Sequence, residues 1–429
     1  MKTWFFVTAM TLTLGTPVGA LDFAGLQTLV DRPTTGESIM IPAGDYRGEL
    51  VVRRPLELRG LPGARLIHEP RRPGPTLWIR SPGVRVDGLE ILGSGEGSER
   101  DHTAVVVSAP GATLSRLTIS KAWAGVWIDH GDSAVIQDLS FRGLQDFPFW
   151  QRGDAIRISA SNGVTLAGAN LRFAADGVFV EKSAGVSMTA INVADARYGV
   201  HLMFAHQGTA SGIATKRTVA GLMVMESADW SVGRSSFTEG YRVGSAGVRE
   251  IRTKRIQIFD SKIMRQASGI ELLDARDGSL RHNLVEENGV AWTWGGDNSG
   301  TASSANLHRG NLLDVAGTEF QEPDSGTKDH NHGPSGGSAS MLSASAHHTR
   351  PAFDQNYWDA WHGLDLDQDG IGDTPYRFDP GEAALAASRP WAGIFLGSPW
   401  SSLSQSLPGG DVLDEHPLAK IPQSFNRGN

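Results

Sequence analysis

A short pattern recurs along the middle of this 429-residue chain: a small residue, a glycine, an apolar residue, a variable residue and a second apolar residue. From Gly177 onward, successive copies begin 22, 22, 26, 22 and 20 residues apart. A period of about 20 to 30 residues with one short apolar segment is typical of a solenoid. The repeat glycines are Gly125, Gly177, Gly199, Gly221, Gly247, Gly269 and Gly289, with Ala155 in the same place once.

Each repeated segment is predicted to be a β-strand. The segments are short, β-branched and bounded by glycine, and their apolar residues alternate with a period of two. We therefore predict an all-β fold, a right-handed parallel β-helix with coils of 22 residues or close to it. Residues one and three after each glycine should point inward and stack about 4.8 Å apart. They are Val126, Ile128, Ile156, Ile158, Val178, Val180, Val200, Leu202, Leu222, Val224, Ile270 and Leu272.

One coil of the predicted ladder is irregular. In the segment after Gly247, the acidic residue Glu250 takes an inward position. The same coil follows the longest step, 26 residues. We expect either a slip in register or a β-bulge at this coil.

The flanking segments predict how the rest of the chain is organised. An early lysine, an apolar stretch and small residues predict an exported chain with a signal peptide cleaved near Ala20. Residues 22–31 are expected to form a short amphipathic helix that caps the first coil. The predicted units are 1–20 (signal peptide), 21–315 (β-helix), 316–350 (flexible segment rich in His, Met, Gly and Ser) and 351–429 (irregular C-terminal module with an Asp-rich loop and a docking tail).

The composition excludes several classes of function. The chain has 39 Lys and Arg against 47 Asp and Glu, a net charge of −8, which argues against binding nucleic acid. It has no cysteine, so thiolates cannot hold a metal. After residue 20 no apolar run reaches the roughly 18 residues of a membrane span, so membrane contact is expected only through a partner.

The most unusual side chains lie two and four residues after the repeat glycines, where they should face outward. At the 22-residue step, His201 is expected to stack on Met223, and Met203 on Met225. Imidazole and thioethers are soft, neutral ligands that suit Cu(I). The pattern predicts a transient Cu(I) site. The alternative is an apolar strip covered by a loop, by the C-terminal tail or by a partner.

Other candidate sites are less specific. A polar tract of five possible copper ligands can equally be a solvated linker; it contains His330, His332, Met341, His347 and His348. The outward aromatics Trp127 and Phe179 and the apolar tail residues Trp400, Leu403 and Leu407 are predicted to contact a partner. The tail is alternatively a cap on the last coil.

An Asp-rich loop near the C-terminus resembles a calcium loop. Positions 1, 3, 5, 6 and 9 of such a loop are occupied by Asp365, Asp367, Asp369, Gly370 and Asp373. Position 12 is Tyr376 instead of the usual bidentate Glu. We predict a structural Ca²⁺ site, and the alternative is an acidic turn without a metal.

A hydrolase remains an alternative from the residues alone. Asp129 and Glu181 share an outward row two coils apart, about 9.6 Å between backbones. This spacing is near the upper limit for the acid pair of an inverting glycosidase. Ser159 lies between them, and scattered surface acids are the simpler interpretation.

The motifs of the chain resemble the NosD family of periplasmic accessory proteins. The resemblance rests on RYGVHLMF at 197–204, on DGVFVEKS before it, on NYWDAWHGLDLDQDGIGDTPY at 356–376 and on a tail with SPW and HPL. It implies a right-handed β-helix in the periplasm that is not itself an enzyme. It also implies a role with an ABC transporter permease and its ATPase in assembling the copper-sulfide centre of nitrous oxide reductase.

The resemblance further implies a copper chaperone and the reductase as partners. Its RYGVHLMF motif contains His201 and Met203, so the family motif and the predicted Cu(I) site coincide. Three functions stay open: a metal-handling assembly factor, a carbohydrate-active enzyme and a passive β-helical binding module.

Overall fold

The described part of the chain is built almost entirely from short parallel strands. The computed structural model describes residues 21–32, 38–69, 74–94, 102–241, 244–317, 349–378, 411–423 and 425. They form a parallel β-helix of about 12 turns, in which nearly every strand pairs in parallel with the strand one coil further on. The predicted fold is confirmed.

The strands are numbered in chain order. The early coils contain Ser38–Ile41 (β1), Gly44–Arg47 (β2), Leu50–Val52 (β3), Glu57–Gly60 (β4), Ala64–Ile67 (β5), Leu77–Ile79 (β6), Arg85–Asp87 (β7), Glu90–Leu92 (β8), Thr103–Val107 (β9), Thr113–Ser115 (β10) and Thr118–Ser120 (β11). The central coils contain Ala124–Asp129 (β12), Val135–Arg142 (β13), Ile156–Ser159 (β14), Thr165–Arg172 (β15), Asp176–Glu181 (β16), Ser187–Met203 (β17), His206–Met225 (β18), Ala228–Gly233 (β19), Ser236–Thr238 (β20), Ala246–Phe259 (β21) and Lys262–Met264 (β22). The last coils contain Ser268–Arg276 (β23), Ser279–Arg281 (β24), Leu284–Glu286 (β25), Val290–Gly295 (β26), Ala302–Ser304 (β27), Leu307–Arg309 (β28), Leu313–Gly317 (β29), Ala352–Asp354 (β30), Tyr357–Trp358 (β31), Tyr376–Phe378 (β32) and Asp411–Asp414 (β33). A single 3-10 turn, Phe149–Gln151, lies between β13 and β14.

A helix, Phe23–Asp31 (α1), caps the N-terminal end as predicted. The Asp22 side chain accepts a hydrogen bond from Gly25 N at 2.7 Å, which satisfies a free donor of the first turn. The Gln27 amide exchanges two 3.0 Å hydrogen bonds with Val51 and so pairs with the edge of β3. Within the described residues, no helix has the length and apolar character needed to cross a bilayer.

The interior is the predicted aliphatic ladder. All twelve residues predicted to point inward, from Val126 to Leu272, are buried. Each buried aliphatic side chain stabilises the fold by about 1.5 to 3 kcal/mol relative to an exposed one. The ladder prediction is confirmed.

The repeat glycines are needed because neighbouring coils approach closely at that position. A Cβ atom on Gly199 would lie 2.4 Å from the carbonyl oxygen of Gly221 and 2.3 Å from Thr215 Cγ2.

One repeat position was assigned wrongly: the register pairs Ser268 with Val290, which places Ala291, not Gly289, above Gly269. The true step of this coil is therefore 22 residues.

The expected slip or bulge at the coil of Glu250 is wrong. Val224 pairs with Glu250, and Met225 with Ile251, so the register is kept. The four extra residues of this coil lie between Thr238 and Ala246, in the turn before β21. Glu250 consequently points into the core, where Thr253 Oγ1 donates a 2.8 Å hydrogen bond to its Oε2.

The β-helix continues past residue 315, where its end was predicted. Strands β30 and β31 pair in parallel with β27 and β28 and so add to the stack. At one corner the side chains of Asn283, Asn306 and Asn356 form a hydrogen-bonded ladder with steps of 3.0 and 3.1 Å. Asp414 ends this ladder: its Oδ2 accepts from Asn356 N at 2.9 Å, from Asn356 Nδ2 at 3.1 Å and from Trp358 Nε1 at 3.1 Å. The NYW motif thus attaches the C-terminal segment to the last coil.

Candidate functional site

One face of the β-helix carries the outward His and Met residues that the sequence singles out. We call it the site face; it consists of β12, β14, β16, residues 196–203 of β17, 218–225 of β18, 246–251 of β21, and β23. His201 pairs with Met223 and Met203 with Met225, as predicted. The step of 22 residues therefore places the four side chains in two adjacent rows.

The site is more buried than an outward position suggests. Met223 is 0% exposed and His201 is 7% exposed, whereas Met203 and Met225 are half-buried. Met223 packs with Ala220, Ile251 and Leu273 in a small apolar cluster separate from the interior of the β-helix. Part of the predicted alternative, a covered apolar strip, is therefore present beside the imidazole.

A buried carboxylate holds the His201 ring. Asp176, the first residue of β16, is 0% exposed, and its Oδ2 lies 2.9 Å from His201 Nδ1. Arg197 donates to both oxygens of the same carboxylate, from Nε and from Nη2, at 2.9 Å each. Three residues from neighbouring coils thus form one buried polar network.

The electrostatics of the network keep Asp176 charged. Burial acts to raise the pKa of Asp176, but the Arg197 charge and the hydrogen bonds from His201 and Arg197 lower it well below its usual range. Burial and the neighbouring Asp176 charge raise the pKa of Asp154, whose Oδ1 accepts from Asp176 N at 3.2 Å. Asp176 is therefore the stronger acid of this carboxylate pair.

Aromatic rings hold the imidazole from two sides. The Phe179 ring stacks on His201 with centroids 4.6 Å apart and planes at 20°. The Tyr198 ring meets it edge-on, with centroids 5.1 Å apart. On the other side of Phe179, the Arg157 guanidinium lies 5.0 Å from its ring centroid and 4.9 Å from that of Trp127. Trp127 and Phe179 are half-buried in this stack, and their predicted contact with a partner stays a prediction.

The donor set fits a soft, monovalent metal. His201 Nε2 is buried and has no hydrogen-bond partner within the described part of the chain. Met223 of the next coil stacks on His201, and the thioethers of Met203 and Met225 lie in the adjacent row. One nitrogen with a lone pair and several thioether sulfurs match the preferences of Cu(I).

Sequence reasoning missed Asp176 and Arg197. Both lie just before a repeat glycine, Asp176 one residue and Arg197 two residues ahead of it. These positions fall outside the alternation used to assign inward and outward residues. A signal was available: an acid in one coil and an arginine 21 residues later, in a ladder with a 22-residue step, are close enough to pair.

Glu181, one member of the predicted acid pair, is held by an arginine and a serine. Asp129, Ser159 and Glu181 stack in one row as expected. Glu181 Oε1 accepts from Arg157 Nη2 at 2.8 Å and from Ser159 Oγ at 2.7 Å. Burial acts to raise the pKa of Glu181, but these hydrogen bonds and the Arg157 charge lower it overall. Glu181 is therefore a poor proton donor, which disfavours it as the general acid that an inverting pair requires.

The Asp-rich loop brings three of its four carboxylates together. Ligand atoms of Asp365, Asp367 and Asp373 lie within 4.8 Å of one another. Asp369 is outside this group, since its Oδ1 accepts from Ile371 N at 2.7 Å. Gly370 has a φ of 91°, which supports the turn. Calcium binding by this loop stays a prediction.

Tyr376 explains why position 12 of the loop is not a carboxylate. Its ring stacks on Trp358, with centroids 5.1 Å apart, and its hydroxyl donates to Asp314 Oδ2 at 2.5 Å. The end of the loop therefore anchors this segment to the last coil.

Saturating Ca²⁺ is expected to raise the melting temperature of the protein. A ligand at about 100 times its Kd stabilises the folded state by about 2.7 kcal/mol. Differential scanning calorimetry in millimolar Ca²⁺ and in chelator measures the shift, and Asp365→Asn should abolish it. Identical melting curves in Ca²⁺ and chelator would show that the loop is an acidic turn without calcium.

Several predicted residues lie outside the described residues. These are the five residues of the polar tract, His330, His332, Met341, His347 and His348, and the tail residues Trp400, Leu403 and Leu407. The predicted signal peptide lies there too. Among the described residues, the most exposed aromatic side chain is one that sequence reasoning missed: Trp150, 69% exposed, in an eight-residue extension before β14.

Residues 132–311 match a family model described as NosD, periplasmic copper-binding protein. Two proteins named probable ABC transporter binding protein NosD are similar to the chain. The Pseudomonas aeruginosa protein is 29% identical over 171 residues, covering 38% of this chain and 40% of that protein. The Stutzerimonas stutzeri protein is 26% identical over 154 residues, covering 35% of each. The alignments thus span less than half of these relatives.

Two solved structures share the fold. A PL6 alginate lyase complex with trisaccharide has a TM-score of 0.51 and 11% identity, covering 69% of this chain and 79% of that chain. The catalytic unit of the GH87 α-1,3-glucanase from Streptomyces thermodiastaticus has a TM-score of 0.52 and 15% identity, covering 72% and 66%. At such identities only the β-helix is shared. The match at 132–311 includes the whole His201 site, so the chain is similar to the NosD family through these central coils.

Proposed function

We propose that this chain is a periplasmic accessory protein that handles copper while the copper-sulfide centre of nitrous oxide reductase is assembled. The observation that carries the proposal is the position of the His201 site. Its imidazole and thioether donors lie in the central coils, inside the segment that matches the periplasmic copper-binding family. The predicted signal peptide is consistent with this location.

The arrangement suits transient binding of copper as a cargo. The side chains of Met203 and Met225 form the half-buried edge of the site, and His201 and Met223 form its buried side. Thioethers are weak ligands, and Cu(I) accepts low and irregular coordination. A carrier with such ligands binds the ion selectively and still releases it to a stronger acceptor.

The proposed partners follow from the names of the relatives. Both are named as probable ABC transporter binding proteins, so we propose that this chain acts with a permease and its ATPase. A copper chaperone would supply the ion, and nitrous oxide reductase would receive the product. The chain would reach the membrane through the permease.

Removing the sulfur atoms of the site is expected to weaken Cu(I) binding by at least about 100-fold. Replacing residues that only hold a metal's ligands in place already lowers metal affinity by about 10 to 100-fold, and this variant removes ligands themselves. The variant replaces Met203, Met223 and Met225 by Leu, which conserves volume. The mature chain from Leu21 is titrated with Cu(I) under anaerobic conditions against a competing chelator. Maturation of the reductase is then measured in cells that carry the variant.

The matched control replaces Met188 and Met264 by Leu. Met188 is buried in the interior and Met264 lies in β22, away from the site face. The control should bind Cu(I) like the wild type. If the site variant also binds Cu(I) normally and matures the reductase fully, the His201 site is not the copper site.

The two other functions predict different results. A carbohydrate-active enzyme would release sugars from a uronate polymer and lose this activity when Asp129 or Glu181 is replaced. A passive binding module would neither bind Cu(I) nor cleave polymers. The ion pair and hydrogen bond that hold Glu181 disfavour polymer cleavage with Glu181 as the general acid.

A further inference from the structure

The carboxylate behind His201 determines which ring nitrogen faces the site. An ionised carboxylate only accepts hydrogen bonds. Both oxygens of Asp176 already accept from Arg197, and Oδ2 also contacts His201 Nδ1 at 2.9 Å. The neutral imidazole in this contact must carry its proton on Nδ1. The lone pair is then on Nε2, the nitrogen that has no partner in the described part of the chain.

The ring is also held against rotation. A half-turn about the Cβ–Cγ bond would put Cδ2 in the place of Nδ1 and Cε1 in the place of Nε2, and the Asp176 carboxylate would then face a carbon atom. Stacking on Phe179 fixes the plane of the ring, and the Tyr198 ring contacts it in a T-shaped arrangement. The contacts together define one orientation and one tautomer.

Arg197 holds the carboxylate in turn. Its two parallel hydrogen bonds have the fork geometry that only a guanidinium offers, and they fix both oxygens of Asp176. The positive charge of Arg197 balances the buried negative charge of Asp176. A neutral imidazole is the form that binds a metal ion.

We propose that Asp176, clamped by Arg197, is the positioning residue of the copper site and presents His201 Nε2 to Cu(I). The inference rests on the proposed function for its metal, and it adds two residues and one defined ligand atom. Partners of this kind behind metal-binding histidines fix the tautomer and the ring, and their loss costs about 10 to 100-fold in metal affinity.

The tautomer of His201 is measured without any metal. Histidine labelled with ¹⁵N gives long-range ¹H–¹⁵N correlations that distinguish Nδ1–H from Nε2–H, and His201→Gln assigns the signal. The wild type should show the Nδ1–H form. An Nε2–H form of His201 in the metal-free wild type overturns the inference.

The matching variant is the double substitution Asp176→Asn with Arg197→Gln. Removing one charge alone would leave the other unpaired and destabilise the fold, so both are removed together. His201 should then lose its preference for the Nδ1–H form, and Cu(I) affinity should fall by about 10 to 100-fold. X-ray absorption should still show sulfur ligation, because the methionines are unchanged.

The chain contains a matched control pair. Arg217 donates to both oxygens of Asp195, at 2.6 and 2.8 Å, in the same fork geometry. No histidine takes part in the described contacts of that carboxylate. Asp195→Asn with Arg217→Gln should change neither the tautomer of His201 nor copper affinity.

The outcomes separate this inference from the proposed function. A wild type that binds Cu(I), with a double variant that binds it equally well, overturns the role of Asp176 and leaves copper handling intact. A wild type that shows the Nδ1–H form but binds no Cu(I) overturns the copper site itself. Folding of each variant is checked by its circular dichroism and melting temperature.

Discussion

Replacing Asp414 by alanine is expected to lower the free energy of unfolding of the last coils by at least about 3 kcal/mol. Asp414 is 0% exposed and accepts three hydrogen bonds on one oxygen, from Asn356 N, Asn356 Nδ2 and Trp358 Nε1. Each buried donor left without an acceptor costs about 1 to 3 kcal/mol. Coils of a solenoid contact only their neighbours, so the damage should stay local.

Hydrogen exchange measures this effect where it arises. The amides of β28, β30 and β31 should exchange faster in Asp414→Ala, while those of the site face keep wild-type protection. The control is Asp354→Ala, which removes an exposed pair with His416. Exposed ion pairs contribute about 0 to 1 kcal/mol to stability, so the control should hardly change the exchange rates. Equal exchange in the two variants would contradict the role assigned to Asp414.

Replacing Glu250 by glutamine is expected to stabilise the protein at pH 8 by about 3 kcal/mol. Glu250 is 2% exposed, and burial raises its pKa to about 7 from an ordinary value of 4.5. The rise in pKa from 4.5 to about 7, at about 1.36 kcal/mol per pKa unit, gives about 3 kcal/mol. Glutamine resembles the protonated acid and carries no charge at any pH.

The sign follows from the raised pKa. Below pH 4.5 both the folded and the unfolded chain hold the proton, so wild type and variant should be equally stable. Between pH 4.5 and 7 the unfolded chain releases the proton while the folded chain keeps it, and the wild type loses stability as the pH rises. Urea unfolding at pH 4.5, 6 and 8 measures the growing difference.

A neighbouring acid provides the contrast. Glu271 is in the next coil, paired with Arg249, and both side chains are mostly buried. Glu271→Gln leaves the arginine without its partner and should destabilise the protein at pH 8. If Glu250→Gln destabilises it as well at pH 8, the buried acid is held ionised by an interaction not identified above.

The ladder and the stacking of His201 on Met223 were predictable because they depend only on two periods. Alternation of two assigns the side of the strand, and the 22-residue step assigns the neighbour one coil away. The assignment of Gly289 was wrong because it followed the glycine motif, whereas the 22-residue step leads from Gly269 to Ala291, as the strand pairing shows.

The burial of the site residues and the polar partners of Asp176 and Asn356 could not be predicted from the two periods. Met223 is covered through Ile251 and Leu273, which lie one and two coils further on, so its exposure depends on residues outside its own strand. Asp176 lies at the start of a strand, and its role depends on two residues of the next coil. The partner of Asn356 is 58 residues away, and the C-terminal segment must return to the last coil to supply it.

The uneven coil lengths define where the chain tolerates extra residues. Between Gly177 and Gly221 every step is 22, and both rows of the His201 site depend on it. One added residue inside these strands would move His201 and Met223 to opposite sides of the sheet. The extensions before β14 and before β21 instead leave the pairing on either side in register. A tag, a spectroscopic probe or a graft belongs in those two turns, where added length leaves the site unchanged.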